Sequence, residues 1–240
     1  MYMKIKVRRA NERGTGEHGW LHANFTFSFA NYYDPNHCGF HSLIVMNNDI
    51  IEPSGGFPTH PHKDAEIFTY VISGELEHRD SMGNGSVIRP GDLQYMSAGS
   101  GVTHSEFNPS IENRTELYQI WMLPNQSGGD PRYAEKKLAG RECPNGWTLL
   151  FSGDGEDGST PIRQDSTFSF GQADAGSSLT IEPSAALPHA WIQVVSGALQ
   201  INEQKLGKAD GMCIENLDQT LNLSIREPST LFLFRLPHQP

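Results

Sequence analysis

Two short segments in the first half of the chain carry side chains that bind metals. In the first, Pro61 separates His60 from His62. Proline resists helix and keeps its neighbours extended, and alternate side chains of an extended chain project to the same side. Two imidazoles at this spacing can take adjacent positions on Fe, Cu, Ni or Zn. A single pair of this kind also occurs without a metal, so a metal site needs further ligands elsewhere.

The second segment supplies such ligands. His104 and Glu106 alternate in the same way and follow the glycine-rich turn 99–101. On strands that face each other in a barrel, the two segments would place three nitrogens and one oxygen around a single point. This donor set leaves open positions on an octahedral metal, which catalysis requires and a closed structural site does not offer. The two segments together therefore predict a catalytic metal site.

The elements that must position these residues are short strands. Runs of β-branched and aromatic residues recur along the chain and end at Gly, Pro, Asn or Asp, which is typical of a β-sandwich or barrel. Only residues 131–140 are predicted as a helical turn or two. They follow the polar, glycine-rich stretch 125–130, which resembles a linker. The sequence predicts an all-β protein with a domain junction at this stretch.

The second half of the chain repeats the first. Val71–Glu77 matches Val194–Gln200 at a separation of about 120 residues, as expected for two copies of one β-domain. We therefore predict two tandem barrels, at residues 1–128 and 129–240. The copies differ where the metal residues lie: Pro183, Ala185, His189 and Ser224 stand at or near the positions of His60, His62, Glu66 and His104. His189 is then a pocket or packing histidine, and the second barrel is predicted to lack a metal.

Composition and charge narrow the classes of function. The 240 residues carry a net charge of −10, which disfavours direct binding to nucleic acid. The basic first residues lack the apolar stretch of a signal peptide, and the longest apolar runs are far too short to span a bilayer. Three widely spaced cysteines are expected to be free thiols in a reducing compartment. We expect a cytoplasmic monomer that does not bind membranes.

The metal-binding segments lie within longer stretches that resemble the pirin family of the cupin superfamily. The resemblance covers nearly the whole first domain, whereas the second domain agrees mainly in its pattern. The stretches that carry it include residues 22–35, 59–62, 70–81, 83–92 and 96–106. It implies a bicupin, with two jelly-roll barrels and a metal site only in the N-terminal one.

In pirins the metal ligands correspond to His60, His62, His104 and Glu106. In many other cupins the ligand is the glutamate that corresponds to Glu66, which we expect here to support the site or the fold. Pirins normally read His-Arg-Gly-Phe-Glu where this chain has His-Lys-Asp-Ala-Glu at residues 62–66. The difference leaves the ligands intact and alters the rim of the pocket.

The resemblance also implies a reaction. Bacterial pirins resemble quercetin 2,3-dioxygenases, oxidoreductases that open the central ring of a flavonol with O2 and release carbon monoxide. One divalent metal per chain is expected, Fe(II) first and Cu, Ni, Zn, Mn or Co as alternatives, with Glu106 as the catalytic base for the flavonol 3-hydroxyl. Five aromatic residues are candidate walls for the flat substrate: Phe25, Phe27, Phe57, Phe68 and Tyr95. The alternatives are an iron- or redox-sensing regulatory protein without a dedicated catalytic role, and another type of cupin enzyme such as an isomerase.

Overall fold

The computed structural model describes residues 2–138 and 143–238. Within these ranges the helical residues are confined to two short 3-10 turns, Ala10–Glu12 and Glu156–Gly158. No helix in the described ranges is long and apolar enough to cross a membrane. Almost all regular structure is therefore β, and the predicted all-β fold is confirmed.

The described residues form twenty strands. The first twelve are β1 (Lys4–Arg8), β2 (Gly14–Glu17), β3 (Leu21–Phe25), β4 (Leu43–Ile51), β5 (Gly56–His62), β6 (Glu66–Ser73), β7 (Leu76–Asp80), β8 (Gly85–Ile88), β9 (Asp92–Ser97), β10 (Val102–Phe107), β11 (Thr115–Met122) and β12 (Arg132–Lys137). The remaining eight are β13 (Gly146–Ser152), β14 (Thr160–Pro161), β15 (Thr167–Ala173), β16 (Ser178–Ile181), β17 (His189–Ile201), β18 (Gln204–Leu206), β19 (Gly211–Glu215) and β20 (Leu221–Leu236).

The first compact unit spans Gly14–Ala139 and contains two antiparallel sheets. One has the strand order β12-β9-β6-β11-β4-β3-β2, and the other has the order β5-β10-β7-β8. The buried apolar side chains include two separate clusters, one around Val71 and Leu117 and the other around Ile67 and Met96. Thr69 lies between Ile67 and Val71 on the same face of β6, because side chains alternate along a strand. A polar layer thus separates the two apolar clusters.

The second compact unit consists of Met1–Arg13 and Gly140–Pro240. Its sheet follows the order β1-β19-β17-β20-β15-β13-β14, with β16 paired to β20 and β18 paired to β17. The long strands β17 and β20 pair along most of their length, and β-bulges shift their register between Val194 and Leu199. Bulges of this kind bend a strand, so this long pair of strands can wrap around a core. That core includes a large apolar cluster with Ile192, Leu199 and Leu231.

The repeat predicted from the sequence is visible in its glycines. Gly74 and Gly197 both adopt positive φ, +76° and +83°. A Cβ atom on Gly74 would lie 2.4 Å from the carbonyl oxygen of Arg114, and one on Gly197 would lie 2.3 Å from that of Pro228. Both turns therefore need glycine for the same two reasons, a left-handed backbone and a close backbone neighbour.

The helical turn predicted at residues 131–140 is wrong for the part that the structure describes. Arg132–Lys137 forms β12, which pairs with β9 so that Tyr133 lies opposite Met96. The Ala-Glu-Lys-Lys run favours helix locally, but pairing with a sheet edge and packing of Tyr133 against the apolar cluster outweigh that weak preference. Residues 139 and 140 of the prediction lie outside the described residues.

The predicted domain limits, 1–128 and 129–240, differ from the two units. The polar stretch 125–130 is a loop between β11 and β12 inside the first unit rather than a linker between domains. At the other end, β1 pairs with β19, with Lys4 opposite Glu215, so the first residues of the chain belong to the second unit. A sequence repeat locates the two copies. It does not show that the first strand of the chain pairs within the second unit.

Candidate metal centre

The first metal-binding segment folds as predicted into an extended strand, β5. It pairs antiparallel with β10, which places His104 opposite His60 and Val102 opposite His62. The two segments are hydrogen-bonded neighbours in one sheet. From the sequence they are predicted to lie on strands that face each other across a barrel. Neighbouring antiparallel strands bring opposite Cβ atoms within about 5.5 Å of each other, which is close enough for side chains to share a metal.

The three histidines converge on one point. Their ring centroids lie 4.5 to 4.8 Å apart, and the Nε2 atoms of His60 and His104 are separated by 3.1 Å. One ring nitrogen from each of His60, His62 and His104 lies within 4.8 Å of the others. We call these three residues the three-histidine cluster. Nδ1 of His60 lies 2.9 Å from the carbonyl oxygen of Pro58, which can only accept a hydrogen bond. Nδ1 therefore carries the proton, and Nε2 keeps its lone pair for a metal.

The surroundings hold two of these imidazoles in the form that binds metals. Burial, together with the neighbouring His60, lowers the pKa of His62 to about 4. Burial and the neighbouring histidines lower the pKa of His104 to about 2. Both rings are therefore neutral at physiological pH, and a neutral imidazole offers the lone pair that a cation needs.

Glu106 lies deeper in the barrel, with 3% of its surface exposed. Its Oε1 accepts a hydrogen bond from Thr69 Oγ1 at 3.3 Å, and its Oε2 accepts one from Gln119 Nε2 at 2.9 Å. Burial raises the pKa of the Glu106 carboxyl to about 7, while the two hydrogen bonds act in the opposite direction. A carboxyl that titrates near neutral pH can both take up and release a proton under working conditions.

The structure groups the four predicted ligands in two overlapping sets. The three-histidine cluster forms one set, and Glu106 forms a second set with His104 and His78. His104 belongs to both sets, so the carboxylate lies next to the cluster. Hydrogen bonds from Thr69 and Gln119 hold the Glu106 carboxylate in its position. Neither of these two residues was identified from the sequence.

His78 is the residue that sequence reasoning misplaced. It was expected to be solvated at a charged strand end, but its side chain has no exposed surface. Leu76, His78 and Asp80 alternate toward the interior along β7, and Glu106 lies opposite His78 on β10. The alternation that begins at the apolar Leu76 was the signal that could have identified His78 as buried.

Glu66 takes no part in the cluster. It is buried, and its carboxylate accepts hydrogen bonds from Ser97 Oγ, at 2.5 Å, and from the Tyr95 hydroxyl. Glu66 neighbours Ile67 on β6 and projects to the face of the sheet opposite Thr69. Its geometry is that of a residue that supports the fold, which is one of the two roles that the sequence left open.

The five aromatic residues predicted as walls do not all lie at the site. Phe57 lies beside the site, with its ring centroid 6.2 Å from that of His60. Phe68 and Tyr95 pair across β6 and β9 on the face opposite Thr69, so they cannot line the site. Trp121, which the sequence did not single out, packs edge-on against His62 at 4.9 Å. Its indole Nε1 is buried without a hydrogen-bond partner. Phe25 and Phe27 are buried side chains.

The residues of the second unit that correspond to His60, His62 and Glu66 have different surroundings. Pro183 and Ala185 lie outside its strands. His189 is buried, and within its own unit Nδ1 lies 2.5 Å from Glu215 Oε2 and Nε2 lies 3.0 Å from His238 Nδ1. It therefore has polar partners that its isolated position in the sequence did not indicate. The described part of this unit contributes no set of three possible ligands entirely its own.

Comparison with known proteins agrees with this geometry. The family model described as Pirin matches residues 6–122, and the model described as Quercetinase C-terminal cupin domain matches residues 149–236. A quercetin 2,3-dioxygenase of Escherichia coli K12 is 45% identical over 233 residues, which cover 97% of this chain and 99% of the relative. This chain belongs to the pirin family.

Two further similarities extend this assignment. A pirin-like protein of Caulobacter vibrioides is 36% identical to this pirin over 92% of the chain and 94% of the relative. The crystal structure of the E. coli bacterial pirin YhhW in complex with nickel(II) matches with a TM-score of 0.91 at 44% identity, and covers 98% of this chain and 99% of that one. The bicupin fold predicted from the sequence is thereby confirmed, and the nickel complex supports a divalent metal for the family.

Proposed function

We propose that this pirin is a metal-dependent dioxygenase with quercetin 2,3-dioxygenase activity on flavonols. The observation that carries the proposal is the three-histidine cluster beside the buried Glu106, in a chain that is similar to a protein named quercetin 2,3-dioxygenase. Flavonol and O2 are the proposed substrates.

The donor set fits one divalent first-row transition metal per chain. His60, His62 and His104 would hold it with Glu106, and we propose Fe(II) as the native ion. Imidazole nitrogens and a carboxylate suit Fe, Ni, Cu and Zn, and the E. coli relative was crystallised with nickel(II). When bound, the metal supplies the positive charge that acidifies a nearby hydroxyl and a centre at which dioxygen can react.

Glu106 is the proposed catalytic base. Its carboxylate would accept the proton of the flavonol 3-hydroxyl on an Oε atom, and its burial, which raises its pKa to about 7 in the metal-free protein, favours uptake of that proton. Thr69 and Gln119 hold the carboxylate from the opposite sheet, which fixes its orientation before substrate arrives. Phe57 and Trp121 flank the histidines and offer flat apolar surface to an aromatic substrate, and the unpartnered indole N–H of Trp121 can donate to a substrate oxygen.

The test combines metal analysis with oxygen consumption. Protein purified anaerobically and reconstituted with Fe(II), or separately with Ni(II), is mixed with quercetin under air while O2 uptake and carbon monoxide release are recorded. For each flavonol consumed, we expect one O2 to be taken up and one carbon monoxide to be released. Fully metal-loaded protein that consumes no O2 with any flavonol would contradict the dioxygenase proposal and favour the metal- or redox-sensing alternative.

A further inference from the structure

The ligand His104 has a buried histidine behind it. Nδ1 of His104 lies 3.4 Å from Nδ1 of His78, and Nε2 of His78 lies 3.3 Å from Oδ2 of Asp80. The side chains of His78 and Asp80 are both completely buried. A chain of three side chains therefore runs from the three-histidine cluster to a carboxylate, through a histidine that the proposed reaction does not use.

Hydrogen bonds around Asp80 show which atoms donate along this chain. Oδ1 of Asp80 accepts from the backbone N–H groups of Met82 and Asn84, and Oδ2 accepts from Asn84 Nδ2 at 2.8 Å. A carboxylate surrounded by donors acts as an acceptor, so Nε2–H of His78 donates to Asp80. Nδ1 of His78 is then an acceptor, and Nδ1–H of His104 donates to it. This arrangement leaves Nε2 of His104 with its lone pair directed at His60 Nε2.

The ring of His78 is also fixed in orientation. Tyr133 stacks on it with a centroid separation of 5.2 Å and an angle of 27° between the planes. The Tyr133 hydroxyl is held by Glu135 at 2.6 Å and Ser86 at 2.8 Å. Since Ser86 and Glu135 lie on different sheets, the tyrosine is anchored from two sides and keeps the imidazole from rotating.

We propose that His78, supported by Asp80, is a positioning residue that fixes the tautomer and ring orientation of the metal ligand His104. The inference rests on the proposed metal site. Ligating histidines commonly donate their second ring N–H to a carboxylate or carbonyl, and loss of that partner costs 10- to 100-fold in metal affinity. Here the imidazole of His78 lies between the ligand His104 and the carboxylate of Asp80. The side chains of His78 and Asp80 are both completely buried.

The test uses Co(II) alone as the probe and two replacements of His78. His78→Phe keeps a flat ring against Tyr133 but removes the acceptor, and we expect Co(II) to bind roughly 10- to 100-fold more weakly with a changed visible absorption spectrum. His78→Asn places an oxygen near the former Nδ1 and is expected to restore most of the affinity and the wild-type spectrum. His37→Phe is the matched control, because His37 pairs with Asp34 at 2.7 Å in the same unit, outside the cluster.

Each outcome has a distinct meaning. Wild-type affinity and spectrum in His78→Phe would overturn the proposal, and so would complete loss of Co(II) in both His78 variants, which would make His78 a ligand in the set with His104 and Glu106. If His78→Phe does not fold, Asp80→Asn replaces it, with a weaker loss of affinity expected and unchanged affinity contradicting the proposal. Wild-type protein that binds Co(II) but never turns over flavonol would refute the enzymatic function alone, whereas failure to bind Co(II) would refute both.

Discussion

The two barrels of this pirin use similar strands for different purposes. The second unit contains a large apolar cluster, in which side chains such as Ile192, Leu223 and Leu231 have no exposed surface. The interior of the first unit holds two smaller apolar clusters with Glu106, Thr69 and the histidines between them. A buried polar group costs about 1–3 kcal/mol when it lacks a partner, so such a layer persists only if its members bond to one another. The first unit thus contains a hydrogen-bonded polar layer around the proposed metal site, whereas the large cluster of the second unit is apolar throughout.

The strongest test of this difference removes one histidine from each barrel. His62→Ala is expected to lose the bound metal, since two imidazoles and one carboxylate remain. His189→Ala is expected to keep the full metal content, although loss of the Glu215 contact lowers its melting temperature. Elemental analysis gives the stoichiometry, and circular dichroism verifies that both variants fold. Metal retained in His62→Ala, or a second equivalent in the wild type that disappears in His189→Ala, would reverse the assignment.

The next test changes two buried carboxylates of the first barrel. Glu106→Gln removes the base and is expected to turn over quercetin at least about 100-fold more slowly than wild type at equal metal loading. Glu66→Gln is the matched control with wild-type turnover expected, because the Glu66 carboxylate accepts hydrogen bonds from Tyr95 and Ser97 and projects to the face of β6 opposite Thr69. Steady-state O2 uptake compares the two variants. Equal rates in Glu106→Gln and wild type would remove Glu106 as the base, and a slow Glu66→Gln enzyme would place the active carboxylate elsewhere.

The turn that the two units share is tested at its glycine, Gly74 in the first unit and Gly197 in the second. Gly74→Ala and Gly197→Ala each force a Cβ against a backbone carbonyl at positive φ, and both are expected to cost about 2 kcal/mol or more in the free energy of unfolding. Gly207→Ala, where a Cβ meets nothing within 4 Å, serves as control and is expected to change stability by about 0.5 kcal/mol or less. Urea unfolding measures all three. A large effect at only one of the two turns would show that the repeat is not structurally equivalent there.

The smallest expected effect is a pH-dependent change in the stability of the metal-free protein. Burial raises the pKa of Glu106 from 4.5 to about 7, so between these values the folded chain keeps a proton that the unfolded chain releases. Stability is therefore lost as the pH rises through this window, and the full cost is present above pH 7. We expect Glu106→Gln to raise the melting temperature by on the order of 3 °C at pH 8 and by much less at pH 4.5. An equal shift at both pH values would contradict a buried, ionising carboxyl.

Local pattern was sufficient to single out the three histidines that the structure brings together, and insufficient for the residues around them. His60, His62 and His104 could be predicted because strand alternation acts over two residues and needs no knowledge of the fold. His78 was placed in solvent because its neighbours are charged, yet β7 turns it inward beside Glu106. The partners Thr69 and Gln119 lie 37 and 13 residues from Glu106 along the chain, a separation at which no short pattern predicts contact.

The sequence by itself determined the β class, the repeat and the choice of His60, His62 and His104 as candidate ligands, because each depends on residue type and on spacing within a single strand or turn. The tertiary structure decided that β1 joins the second unit, that residues 132–137 form a strand, and that His78 and Asp80 stand behind His104. These features depend on which strands pair across long stretches of chain. Strand pairing is set by the packing of both sheet faces, which no single segment encodes.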